Sequence, residues 1–205
     1  MNAPKKRRIF IAIDPPDEWK SSLKSLQSDL KRSFTHARIK WIDPLQIHIT
    51  LRFLGYIAPE DIPTLQTAVE QACLSTSPFI LKSGQLGCFP RPSAPRVLWL
   101  GILDVQNALA PLEKRIASST ATIGQKPEDR PFHPHLTIGR ITEMRSGERK
   151  VLADVLEHHH EKIQTPWNVK EVLIMESKLN PQGARYEQVS RHTCLRQQDL
   201  TPYSF

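Results

Sequence analysis

The sequence has few cysteines, and none of them is in a metal-binding arrangement. Only three occur in 205 residues, Cys73, Cys88 and Cys194, without a CxxC pair or a comparable spacing. An odd and sparse set argues against a disulfide framework and is typical of a reducing compartment. We therefore predict no disulfide scaffold, no bound metal and no other cofactor.

Long apolar runs are also lacking. The start, MNAPKKRRIFIAID, has a basic cluster and only about five apolar residues before Asp14, whereas a secretory core segment needs roughly 7–15. No run approaches the ~20 apolar residues of a membrane span. Low-complexity tracts and an obvious linker are absent as well. We expect one cytoplasmic domain over residues 1–205, with no membrane contact and no obligate protein partner.

The charge balance favours anionic partners without identifying one. Lys and Arg number 28 against 21 for Asp and Glu, a net charge of +7. This excess of positive charge is consistent with binding to nucleic acid or nucleotides, and equally with a moderately basic protein that binds neither. The cluster KKRR at 5–8 is consistent with an RNA-contacting arm or with a solvated basic terminus.

Four segments carry apolar residues at helical spacing. In the first, Trp19, Leu23 and Leu26 share one face after an Asp-Pro-Pro start that suits a first turn. The predicted helices cover residues 14–34, 59–74, 105–119 and 147–163. Pro111 is expected to kink the third helix or to delay its start.

Strands are predicted where β-branched and aromatic residues accumulate. They cover residues 8–13, 38–42, 47–55, 79–89, 96–102, 135–139, 169–179 and 184–192, the last two joined by the turn NPQG. Strands outnumber helices and often follow one another directly. This order favours an α+β fold with antiparallel pairing over a doubly wound parallel sheet, and its repetition suggests two similar halves.

Each half contributes a strand with a histidine and a threonine two residues apart. IHITLRFLG (47–55) contains His48 and Thr50, and HPHLTIGR (133–140) contains His135 and Thr137. Because side chains alternate along a strand, each pair points to one face and leaves an apolar face for the core. Two such strands side by side would bring two imidazoles and two hydroxyls together.

That set of side chains suits the cleavage of a phosphodiester. Two histidines with pKa values near neutrality can act as general base and general acid in one step. Two hydroxyls can hydrogen-bond the phosphate oxygens as charge shifts. A single His-x-Thr is commonplace on an exposed strand face, so the prediction depends on the pair.

The pair HITL and HLTI resembles the two HxTx motifs of the two-histidine (2H) phosphoesterase superfamily. More narrowly, the chain resembles the bacterial and archaeal RNA 2′,3′-cyclic phosphodiesterases, also called 2′-5′ RNA ligases. RIFIAIDPP, PRVLWLGI and ESKLNPQGARYEQV match further blocks of that family, in its order. The resemblance implies two pseudo-symmetric lobes, each an antiparallel sheet with helices packed on the outside, flanking a central cleft where the motifs meet.

The resemblance also implies a reaction. The 2′,3′-cyclic phosphate of an RNA end or a cyclic nucleotide would be opened to a 2′-phosphomonoester without a metal. His48 would be the proton donor to the leaving ribose oxygen, and His135 the proton acceptor that activates water. Thr50 and Thr137 would hold the phosphate. In reverse, the same site would form a 2′-5′ linkage.

Residues near the motifs are weaker candidates. Arg52 follows the alternation of the first motif and is expected either to contact phosphate or to be a solvated strand residue. Arg140 has the opposite parity and is the poorer candidate. Phe10 and Phe132 are expected to stack a base or to belong to the core, and His133 is expected to be peripheral.

Two other interpretations stay open. An RNA- or nucleotide-binding module would keep the cleft without turnover, although two intact motifs favour catalysis. An enzyme of the same chemistry would act on another cyclic phosphate or on a 2′-5′ oligonucleotide. The preferred interpretation is a hydrolase of RNA 2′,3′-cyclic ends.

Overall fold

The computed structural model describes residues 5–126, 131–158, 163–180 and 183–195. Its helices are α1 (Asp17–Ser33), α2 (Ile62–Leu74), α3 (Leu109–Ser119) and α4 (Ser146–His158). Its strands are β1 (Arg7–Ile13), β2 (Arg38–Trp41), β3 (Ile49–Ile57), β4 (Phe79–Phe89), β5 (Val97–Asp104), β6 (His135–Glu143), β7 (Trp167–Val169), β8 (Glu171–Asn180) and β9 (Gly183–Thr193). Residues 159–162 of the predicted fourth helix, and two positions of the NPQG turn, lie outside the described residues.

The strands form two antiparallel arrays that meet at one point. Their order is β7-β4-β5-β6-β3-β1-β8-β9, with β2 added on β6. The first lobe consists of β3, β1, β8 and β9, and the second of β7, β4, β5, β6 and β2. In the described residues, the ladder between β3 and β6 is a single pair, Ile49 with Leu136. The α+β fold with two antiparallel lobes is thereby confirmed.

One predicted strand is divided between the lobes. The segment 169–179 was expected to be continuous, but Trp167–Val169 pairs with β4 in the second lobe and Glu171–Asn180 pairs with β1 and β9 in the first. Lys170 is the residue between them, and its carbonyl accepts from the amide of Cys194 at 2.7 Å. The chain thus crosses from one lobe to the other at this point.

Two of the four helices, α1 and α3, pack across the lobes, whereas α2 and α4 pack on the lobe whose strand they follow. Helix α1 follows β1 of the first lobe, yet its Trp19 ring lies 5.2 Å from that of Trp167 in the second. Helix α4 contacts β4, whereas α3 contacts β3 and α2 contacts β8 and β9. Pro111 lies in the first turn of α3, where no intrahelical amide donor is needed, so it delays the start without breaking the helix. None of the helices in the described ranges has the length and apolar character needed to cross a bilayer.

Both motif strands contain a β-bulge directly after the threonine. In β3 the extra residue is Leu51, which follows Thr50, and in β6 it is Ile138, which follows Thr137. Each extra residue lies between two residues that pair with consecutive positions of the neighbouring strand. A bulge of this kind reverses the alternation of side chains beyond it. It therefore decides which residues C-terminal to each motif face the cleft.

Candidate active site

The two motif histidines are fixed to the main chain in the same way. His48 immediately precedes β3, and its Nδ1 lies 2.8 Å from the carbonyl oxygen of Gln46. His135 is the first residue of β6, and its Nδ1 lies 2.7 Å from the carbonyl oxygen of His133. A carbonyl oxygen can only accept, so Nδ1 carries the proton in both rings. The Nε2 atom of each ring is thereby left for proton exchange in the cleft.

Aromatic rings set the orientation of His48. The ring of Phe10 is stacked on it with centroids 4.7 Å apart, and Tyr186 meets it edge-on at 5.0 Å. The side-chain oxygen of Gln46 accepts from the backbone amide of Tyr186 at 2.8 Å. The short 3-10 turn before His48 is therefore tied to β9.

A second aromatic group surrounds His135. Phe89 lies edge-on to its ring at 5.1 Å, and Trp99 lies at 6.0 Å. His133 contacts both Trp99 and Phe89, at 4.8 and 5.5 Å, and its carbonyl orients His135. His133 is exposed, and the expectation that it is peripheral to catalysis stays a prediction, although its carbonyl and its ring belong to the surroundings of His135.

Both imidazoles favour the neutral form in the empty cleft. The pKa of His48 is lowered to about 4, mainly by burial and also by the charges of His135 and Arg140, against the opposing effect of the Gln46 carbonyl. Burial also lowers the pKa of His135, helped by His133 and Arg140. An anion between the rings would raise both pKa values, since an opposite charge nearby favours the protonated form.

The four motif side chains line one small cavity. His48, Thr50, His135 and Thr137 all border a space of about 210 Å³. This is below the roughly 300–1,000 Å³ of ordinary ligand sites, and it suits a phosphate group with part of a ribose. A cavity of about 770 Å³ adjoins it and shares Thr50 and His135. Phe132 lines this larger cavity with Phe89, where a base has room.

The two arginines exchange the places that strict alternation predicts. Arg140 is exposed and borders both cavities. Arg52 is 6% exposed and donates to the carbonyls of Ala117 and Gln125 and to the hydroxyl of Thr120. The bulges after the motifs cause this exchange. The expected orientation of Arg52 beside the first motif is therefore wrong, and its guanidinium secures the end of α3.

Of the two roles expected for Phe10, base stacking or a place in the core, the structure shows the second. Its side chain is only 3% exposed, and its face is occupied by the ring of His48. Phe10 therefore has no free face for a nucleobase, and it orients the histidine instead. Phe132, which is partly buried at the edge of the core, keeps its predicted base contact as a proposal.

Several cleft residues were not identified from the sequence. The smaller cavity is also bordered by Gln46, Phe53 and Tyr186, and by Arg8, which the sequence indicated only as part of the KKRR cluster. Arg8 could have been found because it has the parity of Phe10 on β1. Tyr186 lies in the closing hairpin, and no local pattern connects it with a motif about 140 residues earlier. No cluster of three or more potential metal ligands occurs among the residues that the structure describes.

The two-lobed α+β fold, with one His-x-Thr strand from each lobe, is that of the 2H phosphoesterases. The chain belongs to the 2′-5′ RNA ligase superfamily, whose model matches residues 6–181. A relative from Methanocaldococcus jannaschii, named RNA 2′,3′-cyclic phosphodiesterase, is 31% identical over 88% of this chain and 96% of its own length.

Solved structures show the same fold. A Thermus thermophilus protein has a TM-score of 0.75 at 21% identity, over 92% of this chain and 98% of that one. The apo form of E. coli LigT has a TM-score of 0.73 at 23% identity, over 94% and 99%. The two-lobed arrangement is therefore common to this chain and these structures.

Proposed function

We propose that this protein hydrolyses the 2′,3′-cyclic phosphate at an RNA end to a 2′-phosphomonoester. The observation that carries the proposal is the matched pair of imidazoles, each with Nδ1 on a main-chain carbonyl, in one cavity with two threonine hydroxyls. The name of the M. jannaschii relative, RNA 2′,3′-cyclic phosphodiesterase, supports the same substrate.

The proposed step transfers one proton at each histidine. Nε2 of His135 takes a proton from a water molecule, whose oxygen attacks phosphorus. The bond from phosphorus to the ribose 3′ oxygen breaks, and protonated His48 gives its Nε2 proton to that oxygen. Thr50 and Thr137 donate to the non-bridging oxygens as charge develops there. The products are a 2′-phosphomonoester and a free 3′-hydroxyl.

The substrate itself would prepare His48 for the donor role. The pKa of about 4 in the empty cleft keeps this imidazole neutral near pH 7. The bound phosphate carries a negative charge, which favours imidazolium at its side. Strain in the five-membered ring activates the leaving oxygen, so the proposed step needs no metal. In reverse, a 5′-hydroxyl would replace water and a 2′-5′ linkage would form.

Hydrolysis of adenosine 2′,3′-cyclic phosphate in EDTA tests this proposal. We expect turnover to adenosine 2′-monophosphate and a loss of at least about 10²-fold in kcat for His48→Ala and for His135→Ala. His158→Ala is the matched control, because this exposed residue at the end of α4 pairs with Asp154 and with no other residue in the described ranges. Absence of turnover by the wild type, or a 3′-phosphate as product, would contradict the proposal.

Cytoplasmic location and the absence of a cofactor remain proposals of the same kind. For the absence of a metal cofactor, the expected result is that activity is retained after exhaustive chelation. A 2′-5′ joined product, formed from a 2′,3′-cyclic end and a 5′-hydroxyl RNA and lost in both histidine variants, is the expected result for the reverse reaction.

A further inference from the structure

Arg8 projects into the smaller cavity from the edge opposite the second motif. It lies on β1 and borders the cavity together with Phe10. Its guanidinium carbon lies 4.4 Å from the ring centroid of Phe53, and its Nη1 donates to the hydroxyl of Ser177 at 2.8 Å. The stacking and the hydrogen bond together fix the direction of the guanidinium.

A carboxylate neutralises the charge of the neighbouring Arg7, but none among the described residues neutralises that of Arg8. Arg7 donates through Nε and Nη2 to one carboxylate oxygen of Glu176, at 3.0 and 2.8 Å. Arg8 forms no ion pair within the described part of the chain, and the described residues that line the cavity include no carboxylate. A guanidinium held toward a cavity with donors to spare is suited to an anion.

The internal symmetry of the fold gives Arg8 a counterpart. Three residues after its threonine, each motif has a side chain on the cavity, Phe53 in the first lobe and Arg140 in the second. The bulges after Thr50 and Thr137 make these two positions equivalent. Arg140 supplies a cation directly, and in the first lobe Arg8 supplies one by stacking on Phe53.

The cavity therefore has two cations, one from a strand of each lobe, whereas the proposed reaction involves one phosphate. Arg140 borders both cavities and lies close enough to both imidazoles to lower their pKa values, so it is placed for the reacting phosphate. Arg8 borders only the smaller of the two cavities and is not among the charges that lower the pKa of either imidazole. An RNA end offers a second anion one nucleotide away, the phosphodiester on the 5′ side of the terminal nucleoside.

We propose that Arg8 binds the phosphate on the 5′ side of the terminal nucleotide and thereby selects RNA ends over free cyclic nucleosides. This inference rests on the proposed function of the two-histidine cavity. Phe53 and Ser177 are positioning residues in it, because they act through Arg8 by holding its guanidinium.

Two substrates that differ by one phosphate test the proposal. They are adenosine 2′,3′-cyclic phosphate and the same nucleoside with an added 5′-phosphate. We expect the wild type to favour the second in kcat/KM, and Arg8→Gln to reduce that preference by about 10-fold, since charged hydrogen bonds are the strong ones. Arg8→Lys, which keeps the charge but loses the fork geometry, should retain part of the preference.

Arg7→Gln is the matched control, because it removes a neighbouring arginine that pairs with Glu176 and is expected to leave the preference intact. An equal loss on both substrates in Arg8→Gln would place Arg8 at the reacting phosphate. Unchanged kcat/KM values for both substrates would show that it binds no substrate phosphate. Either result overturns the proposal.

Calorimetry with two product analogues separates this proposal from the proposed function. These are adenosine 2′,5′-bisphosphate and adenosine 2′-monophosphate, which differ by the 5′-phosphate. Their affinities can be compared without turnover. We expect the wild type to bind the bisphosphate more tightly, and Arg8→Gln to lose most of the difference. If the wild type bound both analogues with equal affinity, the role of Arg8 would be overturned. If the wild type bound the bisphosphate more tightly but did not hydrolyse the cyclic substrate, only the catalytic proposal would be overturned.

Discussion

Main-chain carbonyls, and not carboxylates, hold both motif imidazoles. A carboxylate partner would stabilise imidazolium permanently and would favour a fixed charge on one ring. A carbonyl fixes the tautomer with a smaller effect on the pKa, so the protonation of His48 and His135 depends on what lies between them. In the empty cleft, burial dominates and lowers the pKa of both rings.

The lowered pKa values of His48 and His135 should determine the pH dependence of the reaction. The pH profile of kcat/KM reports the free enzyme, and that of kcat reports the complex. We expect the bell of kcat/KM to be centred below pH 6.5, the ordinary histidine value, because the pKa of His48 is lowered to about 4 and that of His135 is lowered too. The bell of kcat should lie at higher pH, since bound phosphate raises both pKa values. Steady-state rates between about pH 4 and 9 measure both profiles, and coincident bells would contradict the prediction.

At the scale of elements, the β-bulge after each threonine determines which of the following residues face the cleft. Strict alternation predicts the direction of His48, Thr50, His135 and Thr137 correctly, because these residues precede the bulges. Beyond Leu51 and Ile138 the same rule fails, which is why Arg52 and Arg140 were misplaced. No residue type in either motif marks a bulge, so local sequence could not have predicted it.

Helix positions were easier to predict than the contacts between distant elements. The apolar periodicity of α1 to α4 depends on neighbours three and four residues apart, which the sequence displays directly. The contact of Tyr186 with His48 depends instead on how β8 and β9 fold back on β1. Pairings at such a distance are set by the whole fold.

Gln27 on α1 supports the bulge of β6. This buried amide donates through Nε2 to the carbonyls of Ile42 and Ile138, at 2.6 and 2.9 Å. Gln27→Leu would leave these acceptors short of a donor, and we expect unfolding free energy to fall by about 2–3 kcal/mol. We also expect kcat/KM to fall, because the bulge orients Thr137. Urea unfolding and steady-state kinetics check both effects.

The neighbouring substitution Ser28→Ala serves as the control for Gln27→Leu. Ser28 is exposed and hydrogen-bonds only within its own helix, so its loss should change stability by less than about 0.5 kcal/mol. A Gln27→Leu protein as stable as the control would show that the amide does not support β6.

At the scale of the molecule, the two lobes cannot be considered separately. Helix α1 leaves the first lobe and packs on the second, while α3 leaves the second and packs on the first. Each lobe therefore buries its sheet with a helix that follows a strand of the other. The single core formed in this way surrounds the cleft and holds the two motifs in register.

Burial of a neutral imidazole in the cleft should make the whole fold sensitive to acid. The pKa of His48 is about 4 in the folded state and about 6.5 in the unfolded state, so the unfolded chain binds more protons between these values. Stability contributed by His48 is complete above pH 6.5 and is lost as the pH falls toward 4. We expect a loss of about 2–3 kcal/mol between pH 7.5 and 4.5.

His48→Gln isolates that contribution, because glutamine does not titrate. Urea unfolding of the wild type and of the variant at both pH values gives the comparison. The wild type should lose about 2–3 kcal/mol more than the variant on acidification. Equal losses would mean that the protonation of His48 is not coupled to folding.

The pairing of β1 with β8 has a consequence for the newly made chain. Ile9 lies opposite Glu176, and Arg8 donates to Ser177, which lies 169 positions further along the chain, so β1 receives this neighbour only after the whole intervening segment has been made. Phe10, whose ring is stacked on that of His48, lies on β1. Tyr186, which contacts the same imidazole edge-on, is made later still. A growing chain thus carries both His-x-Thr motifs before it has the aromatic residue that completes the surroundings of His48.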